Sequence, residues 1–168
     1  MMEEAKRLLT ELLSIKSVNG SDDEGRMAEF VCEHLRKAGI EAHTERYDET
    51  HANVYAVLPG KRSDRRILWN AHMDTVPYGA LEEWSTDPAT PTLKGDKLFA
   101  RGASDMKSGL AAMVYVLADF AGSGKRPEQT IHFIGSCDEE KGGLGAKMAV
   151  EKYREPWDEI LIGEPTGL

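Results

Sequence analysis

The 168 residues are 40% hydrophobic and 30% charged, the composition of an ordinary globular domain long enough to bury a core without a disulfide staple. A formal net charge of −8 argues against nucleic acid or an anionic membrane as a partner, because both require a basic face. The two cysteines, Cys32 and Cys137, make no disulfide framework and fit a reduced, cytoplasmic setting; no apolar run approaches the ~20 residues of a membrane span, and the N-terminus lacks the basic start and apolar core of a signal peptide.

Leu8, Leu9, Leu12 and Leu13 recur at helical spacing and predict a helix over residues 3–15, which Asn19-Gly20-Ser21 breaks. A second amphipathic helix is predicted from about Asp22 to Lys37, with Met27, Phe30, Val31 and Leu35 on one face and Gly39 as its stop. Strands are expected over 40–47 and 53–58, with a turn at Pro59-Gly60. Residues 67–71 read as a largely buried strand ending at His72, and residues 93–99 as a hairpin around Gly95-Asp96. Ser104 is the expected cap of a helix reaching about Phe120. A strand over 130–136, a helix over 144–153 and a strand over 159–163 follow. Strands alternating with helices indicate a layered α/β domain, with no internal repeat, low-complexity tract or linker.

The residues that carry chemistry stand at predicted strand ends, where functional loops of α/β sheets sit. His72 and Asp74 are two apart on an extended segment and point the same way. Asp74 can therefore orient the imidazole while its other nitrogen binds a metal, though a surface pair has the same spacing. Asp105 follows a glycine-containing loop and precedes a helix. It is either an acid favoured by the helix dipole or a short carboxylate able to hold two metals at once. Glu139 and Glu140, followed by Gly142 and Gly143, can turn out of a strand end together, so that one binds metal and the other moves a proton. A solvated acidic loop accounts for the same letters. Glu164 is a fourth candidate ligand or a surface acid before Pro165. Cys137 lies near the glutamates, but a free cysteine at a strand end is most simply packed. His34, His43, His51 and His132 fall on elements away from these clusters.

Taken together, NAHMDTVP (70–77), EEWSTDP (82–88), RGASDMKSGLAAM (101–113), DEEKGG (138–143) and GEPT (163–166) resemble the acetylornithine deacetylase, succinyl-diaminopimelate desuccinylase, aminoacylase and carboxypeptidase G family of dinuclear zinc hydrolases. The motifs occur in family order and cover the chain from about residue 67; residues 1–60 match only in general pattern. The resemblance implies a helix–sheet–helix catalytic domain. It implies His72 as ligand of one zinc with Asp74 behind it, Asp105 as the bridge, Glu140 as ligand of the second zinc, Glu164 as a further ligand beside His72, and Glu139 as general base. It also implies a cis peptide at Asp105–Met106. Ala100 and Ser108 stand where the family commonly has glycine, and both are expected to be tolerated.

The implied reaction is hydrolysis of the amide bond of an N-acyl amino acid or short peptide, with two zinc ions per complete enzyme, or cobalt or manganese in their place. Glu rather than Asp at position 164 leans toward the deacylase and desuccinylase branches; a metallo-carboxypeptidase or dipeptidase of the same family is the alternative. Family members carry a further histidine ligand later in the chain and a smaller lid domain that mediates dimerisation. Neither lies within these residues, so residues 1–168 are expected to be the N-terminal part of the catalytic domain, and by themselves inactive. A non-catalytic metal-binding unit, or a plain α/β binding domain with acidic loops, are the readings from other classes.

Overall fold

The computed structural model describes residues 2–154 and 156–166; of the terminal loop expected to follow the last strand, Gly167 and Leu168 lie outside the described residues. Helices α1 (Met2–Ser14) and α2 (Gly25–Lys37) precede strands β1 (Glu41–Arg46), β2 (Ala52–Leu58) and β3 (Arg62–His72). A small hairpin of β4 (Thr92–Lys94) and β5 (Lys97–Phe99) leads to α3 (Lys107–Gly122), β6 (Gln129–Ser136), α4 (Leu144–Lys152) and β7 (Glu159–Ile162). The main sheet has the order β1-β2-β6-β3-β7. β1, β2 and β6 pair antiparallel, while β3 is parallel to both β6 and β7. The three parallel strands therefore discharge their loops at one edge of the sheet, where side chains distant in sequence can meet.

One face of the sheet is closed by α1, α2 and α3. Leu8 and Leu12 of α1, Met27, Val31 and Leu35 of α2, and Leu110, Val114 and Leu117 of α3 join Val54, Ala56, Ile131 and Phe133 in a continuous core. The alternation of a strand sends neighbouring side chains to the other face, where Tyr55, His132, Tyr153 and Trp157 form an aromatic cluster beside α4. β3 is half-buried over 67–70 rather than largely buried. Ile67 and Trp69 pack on the helical core, but the strand's other neighbour, β7, is exposed along its whole length, so the second face of β3 is only partly covered.

Two helix starts differ from the pattern. α2 begins at Gly25 because Asp22 accepts the Val18 N–H (2.8 Å) and Asp23 accepts the Gly25 N–H (2.9 Å); both acids close turns before the helix can start. Ser104 does not cap α3, which begins at Lys107. The chain first turns through residues 101–106, with Gly102 at φ +83°, and the Lys107 N–H reaches back to the Gly102 carbonyl at 3.0 Å. The Asp105–Met106 peptide is cis. Lys107 is 2% exposed, and its ammonium donates to the carbonyls of Leu12 (3.1 Å) and Ile15 (2.8 Å). The first residue of α3 thereby supplies donors to carbonyls at and just past the C-terminal end of α1. Burial, partly opposed by the charges of Asp22 and Asp74, lowers its pKa to about 8.

Gly109, on the inner face of α3, shows how tightly the site edge is packed: a Cβ there would run into the carbonyl oxygen of Gly163, the residue before Glu164. Backbone cannot yield as a flexible side chain does. Gly109→Ala is therefore expected to lower stability by about 1–3 kcal/mol despite alanine's better helix propensity. A thermal melt of variant against parent checks this; an unchanged or raised Tm contradicts the packing described.

Candidate metal centre

His72 ends β3 and is 2% exposed. Its imidazole Nδ1 lies 3.0 Å from the backbone carbonyl of Asp74 and 3.4 Å from that residue's Oδ1, and its Nε2 faces outward. Around Nε2 stand Asp105 Oδ1 at 3.1 Å, Glu164 Oε1 at 3.3 Å and Glu139 Oε2 at 3.9 Å. Asp105 comes from the turn before α3, Glu164 from the loop after β7, and Glu139 from the turn after β6. His72, Asp105 and Glu140 each offer one ligand atom within 4.8 Å of the others. The four proposed ligands and Glu139 thus share the edge at which the parallel strands end. His34, His43, His51 and His132 are not among the residues around Nε2. Cys137 is fully buried, and burial followed by the charge of Glu24 pushes its thiol up to about 12, so it is a packed thiol.

The donor set fits a divalent metal. Bonds of about 2.0–2.1 Å in tetrahedral geometry put ligand atoms about 3.3 Å apart, the spacing found between His72 Nε2 and the nearest carboxylate oxygens of Asp105 and Glu164. Nδ1, beside a carbonyl, is held as the donor nitrogen, which leaves Nε2 to coordinate once its proton is lost. The cluster is also short of positive charge: among the described residues no lysine or arginine forms an ion pair with Asp105, Glu139, Glu140 or Glu164. The electrostatics reflect this. Burial raises Glu140 and Glu164 above the ordinary carboxylate range, and the neighbouring charge of Asp105 raises both further. Burial disfavours a charge on His72, but Asp74, Glu164 and Asp105 outweigh it and hold the imidazole at about 9.

A model of peptidase family M20/M25/M40 matches residues 68–168. The chain belongs to that family. It is 33% identical over 180 residues to a succinyl-diaminopimelate desuccinylase of Delftia acidovorans, covering 99% of this chain and 45% of the relative. It is 32% identical over 170 residues to a probable succinyl-diaminopimelate desuccinylase of Staphylococcus aureus, covering 98% and 40%. The chain therefore spans less than half the length of the curated relatives it matches. Among solved structures it resembles an M20 family metallo-carboxypeptidase from Sulfolobus solfataricus (TM-score 0.83, 23% identity, 95% of this chain and 37% of that one). It also resembles human carnosine dipeptidase 1 (TM-score 0.83, 22% identity, 95% and 38%). At these identities the two structures share the M20 catalytic fold. No helix among the described residues is long and apolar enough to cross a membrane.

Behind the M20 motifs stands a layer of fully buried acids, Asp74 and Glu24. Asp74 does more than face His72. Its Oδ1 accepts the Glu139 N–H and its Oδ2 the Glu140 N–H, each at 3.1 Å. Burial opposes its ionisation, but bonds from His72, Asn19 and these two amides outweigh burial and hold the carboxyl below its ordinary range. Glu24, 0% exposed, accepts the Asp138 N–H at 2.8 Å, and burial, then the charge of Asp74, raises its pKa to about 7. One signal was available in the sequence: Glu24 continues the buried stripe of Met27, Ala28, Val31 and Leu35, and an acid in an apolar stripe needs a partner.

A proton must leave His72 before metal can bind. The folded pKa of about 9 lies above the ordinary 6.5. Without metal, this charge stabilises the fold fully below about pH 6.5, and that contribution is lost as pH rises through about 9. Metal binding at pH 7 is expected to release about one proton per ion held by His72, and affinity to rise by up to tenfold per pH unit until about pH 9, where the imidazole loses its proton without metal. Calorimetric titration of the full-length protein in buffers of different ionisation enthalpy measures the release; a heat independent of the buffer contradicts it.

Proposed function

We propose that the protein is a metal-dependent amidohydrolase that cleaves the amide bond of an N-acyl amino acid or short peptide, using zinc, with cobalt or manganese as substitutes. The observation that carries this reading is a buried imidazole whose outward nitrogen is faced by carboxylates from three separate loops, with no lysine or arginine ion-paired to them among the described residues. In this reading residues 1–168 are the N-terminal part of a catalytic domain. Sequence beyond them supplies a further histidine and a lid domain through which the complete protein dimerises, and the setting is cytoplasmic. The desuccinylase names of the relatives at 30% identity or more support the deacylase branch over the peptidase branch.

His72, Asp105 and Glu164 would hold one ion, and Asp105 and Glu140 would share in holding the second. Bound there, the metals would polarise the scissile carbonyl and make water acidic enough to be activated near neutral pH. The protein's own contribution is positional. Glu139 is about half exposed and lies farther from Nε2 than Asp105 or Glu164, so it is left out of the ligand set and can handle protons. It takes one proton of the attacking water as the new C–O bond forms and returns it to the amine nitrogen as the C–N bond breaks; the remaining water proton then passes from the new carboxylic acid to the amine, leaving a carboxylate and an ammonium. Asp74 keeps Glu139 and Glu140 in register through their amides.

The test uses full-length protein loaded with zinc and assayed on N-succinyl and N-acetyl amino acids beside unmodified dipeptides. Hydrolysis of the acyl amino acids is expected, and Glu139→Gln should leave zinc content unchanged while kcat falls by at least about 10²–10⁴-fold. Preferential cleavage of dipeptides would shift the assignment to the peptidase branch. Wild-type kcat in Glu139→Gln would mean that another group carries the proton.

A further inference from the structure

Asn19 lies in the loop between α1 and α2, outside the matched family segment and in a stretch whose letters suggested only a helix break. Its backbone is tied to the site: its N–H donates to the Thr75 carbonyl at 2.9 Å, the Thr75 N–H returns to the Ser17 carbonyl at 2.9 Å, and Val18 and Thr75 form a parallel bridge. From this anchored position the side-chain amide reaches two carboxylates at once. Nδ2 donates to Asp74 Oδ2 at 2.8 Å and to Asp138 Oδ1 at 3.0 Å. Only the NH₂ end of an amide can face two carboxylate oxygens, so its orientation follows from its neighbours.

Each of those carboxylates shapes the turn that bears Glu139 and Glu140. Asp74 Oδ2, the oxygen that Asn19 binds, also accepts the Glu140 N–H, and Oδ1 on the same group accepts the Glu139 N–H while facing His72. The other oxygen of Asp138 accepts the Leu144 N–H at 3.0 Å, which closes the far side of the turn. Asp138 itself sits at φ +56°, a left-handed conformation that surrounding bonds must enforce. Asn19 is thus a neutral double donor between two acids that would otherwise repel. A rotation of either acid would move the Glu139–Glu140 backbone relative to His72.

We propose that Asn19 is a positioning residue of the metal centre: by cross-linking Asp74 to Asp138 it sets where Glu140 and Glu139 stand relative to His72. This rests on the metal-hydrolase reading above and adds to it a residue that touches neither metal nor substrate. Asn19→Asp is nearly isosteric, removes both donors and adds a third carboxylate. Asn19→Ser keeps one donor and guards against a poorly folded aspartate variant. Ser21→Ala is the control, since the Ser21 hydroxyl in the same loop bonds the Val18 carbonyl and, among the described residues, no group of the metal centre.

The experiment loads full-length protein with cobalt(II) and records the visible absorption spectrum, the cobalt affinity by chelator competition, and kcat and KM, on samples whose folding is checked by circular dichroism. The expected result is an altered spectrum, affinity weakened by about 10–100-fold, and a fall in kcat with KM near wild type in Asn19→Asp, an intermediate change in Asn19→Ser, and none in Ser21→Ala. Spectra and affinities unchanged in folded Asn19 variants overturn the positioning role alone. A wild-type protein that takes up no cobalt overturns the metal-hydrolase reading, and this role with it.

Discussion

Crowded negative charge around one imidazole is the condition the rest of the structure has to meet. Asp74, Asp105, Glu139 and Glu164 all approach His72 within 4 Å, and Glu140 completes a ligand-like triad with it. Like charges this close raise one another's pKa and cannot all remain ionised without compensation. The protein compensates partly through His72, held charged at neutral pH when metal-free, and partly by leaving Glu140 and Glu164 easier to protonate. A divalent cation would replace both devices with a single stronger one.

The fold makes this arrangement possible by geometry rather than by local sequence preference. β3, β6 and β7 run in parallel and stop at one edge, so the residues just beyond them share a small volume although they lie far apart in the chain. The edge is held from beneath by polar side chains with defined partners. Asn53 receives the Cys137 N–H and donates to the Gly145 carbonyl. Lys107 ties α1 to the start of α3, immediately after Asp105 and Met106. A buried polar group of this kind stabilises only while its partners are present, which makes these residues markers of where the site tolerates least displacement.

Much of this is legible in the amino-acid sequence. The helices over α1 and α2 follow from apolar residues recurring every three to four positions, and the strand ending at His72 follows from a short apolar run. Both are local signals, and neither depends on what lies across the fold. The candidate ligands stood out because each acid or histidine falls at the end of a predicted strand or, for Asp105, just before a predicted helix. The misplaced features also have local causes. Ser104 carries a capping residue's chemistry, but the turn at Gly102 delays the helix to Lys107. Asp22 and Asp23 have helix-starting chemistry, yet spend it on closing turns with Val18 and Gly25.

The sequence by itself determined the element types, the order of the acidic clusters along the chain, and the family. Periodicity and short motifs are written within a dozen residues, and a family match needs only their order. The tertiary structure alone decided which side chains support those motifs. Asn19 meets Asp74 across 55 residues and Asp138 across 119, Glu24 meets the Asp138 amide across 114, and Lys107 meets the Leu12 carbonyl across 95. No local pattern encodes such pairings, because a hydrogen bond depends on distance in space, and these distances exist only once the sheet has brought its strand ends together.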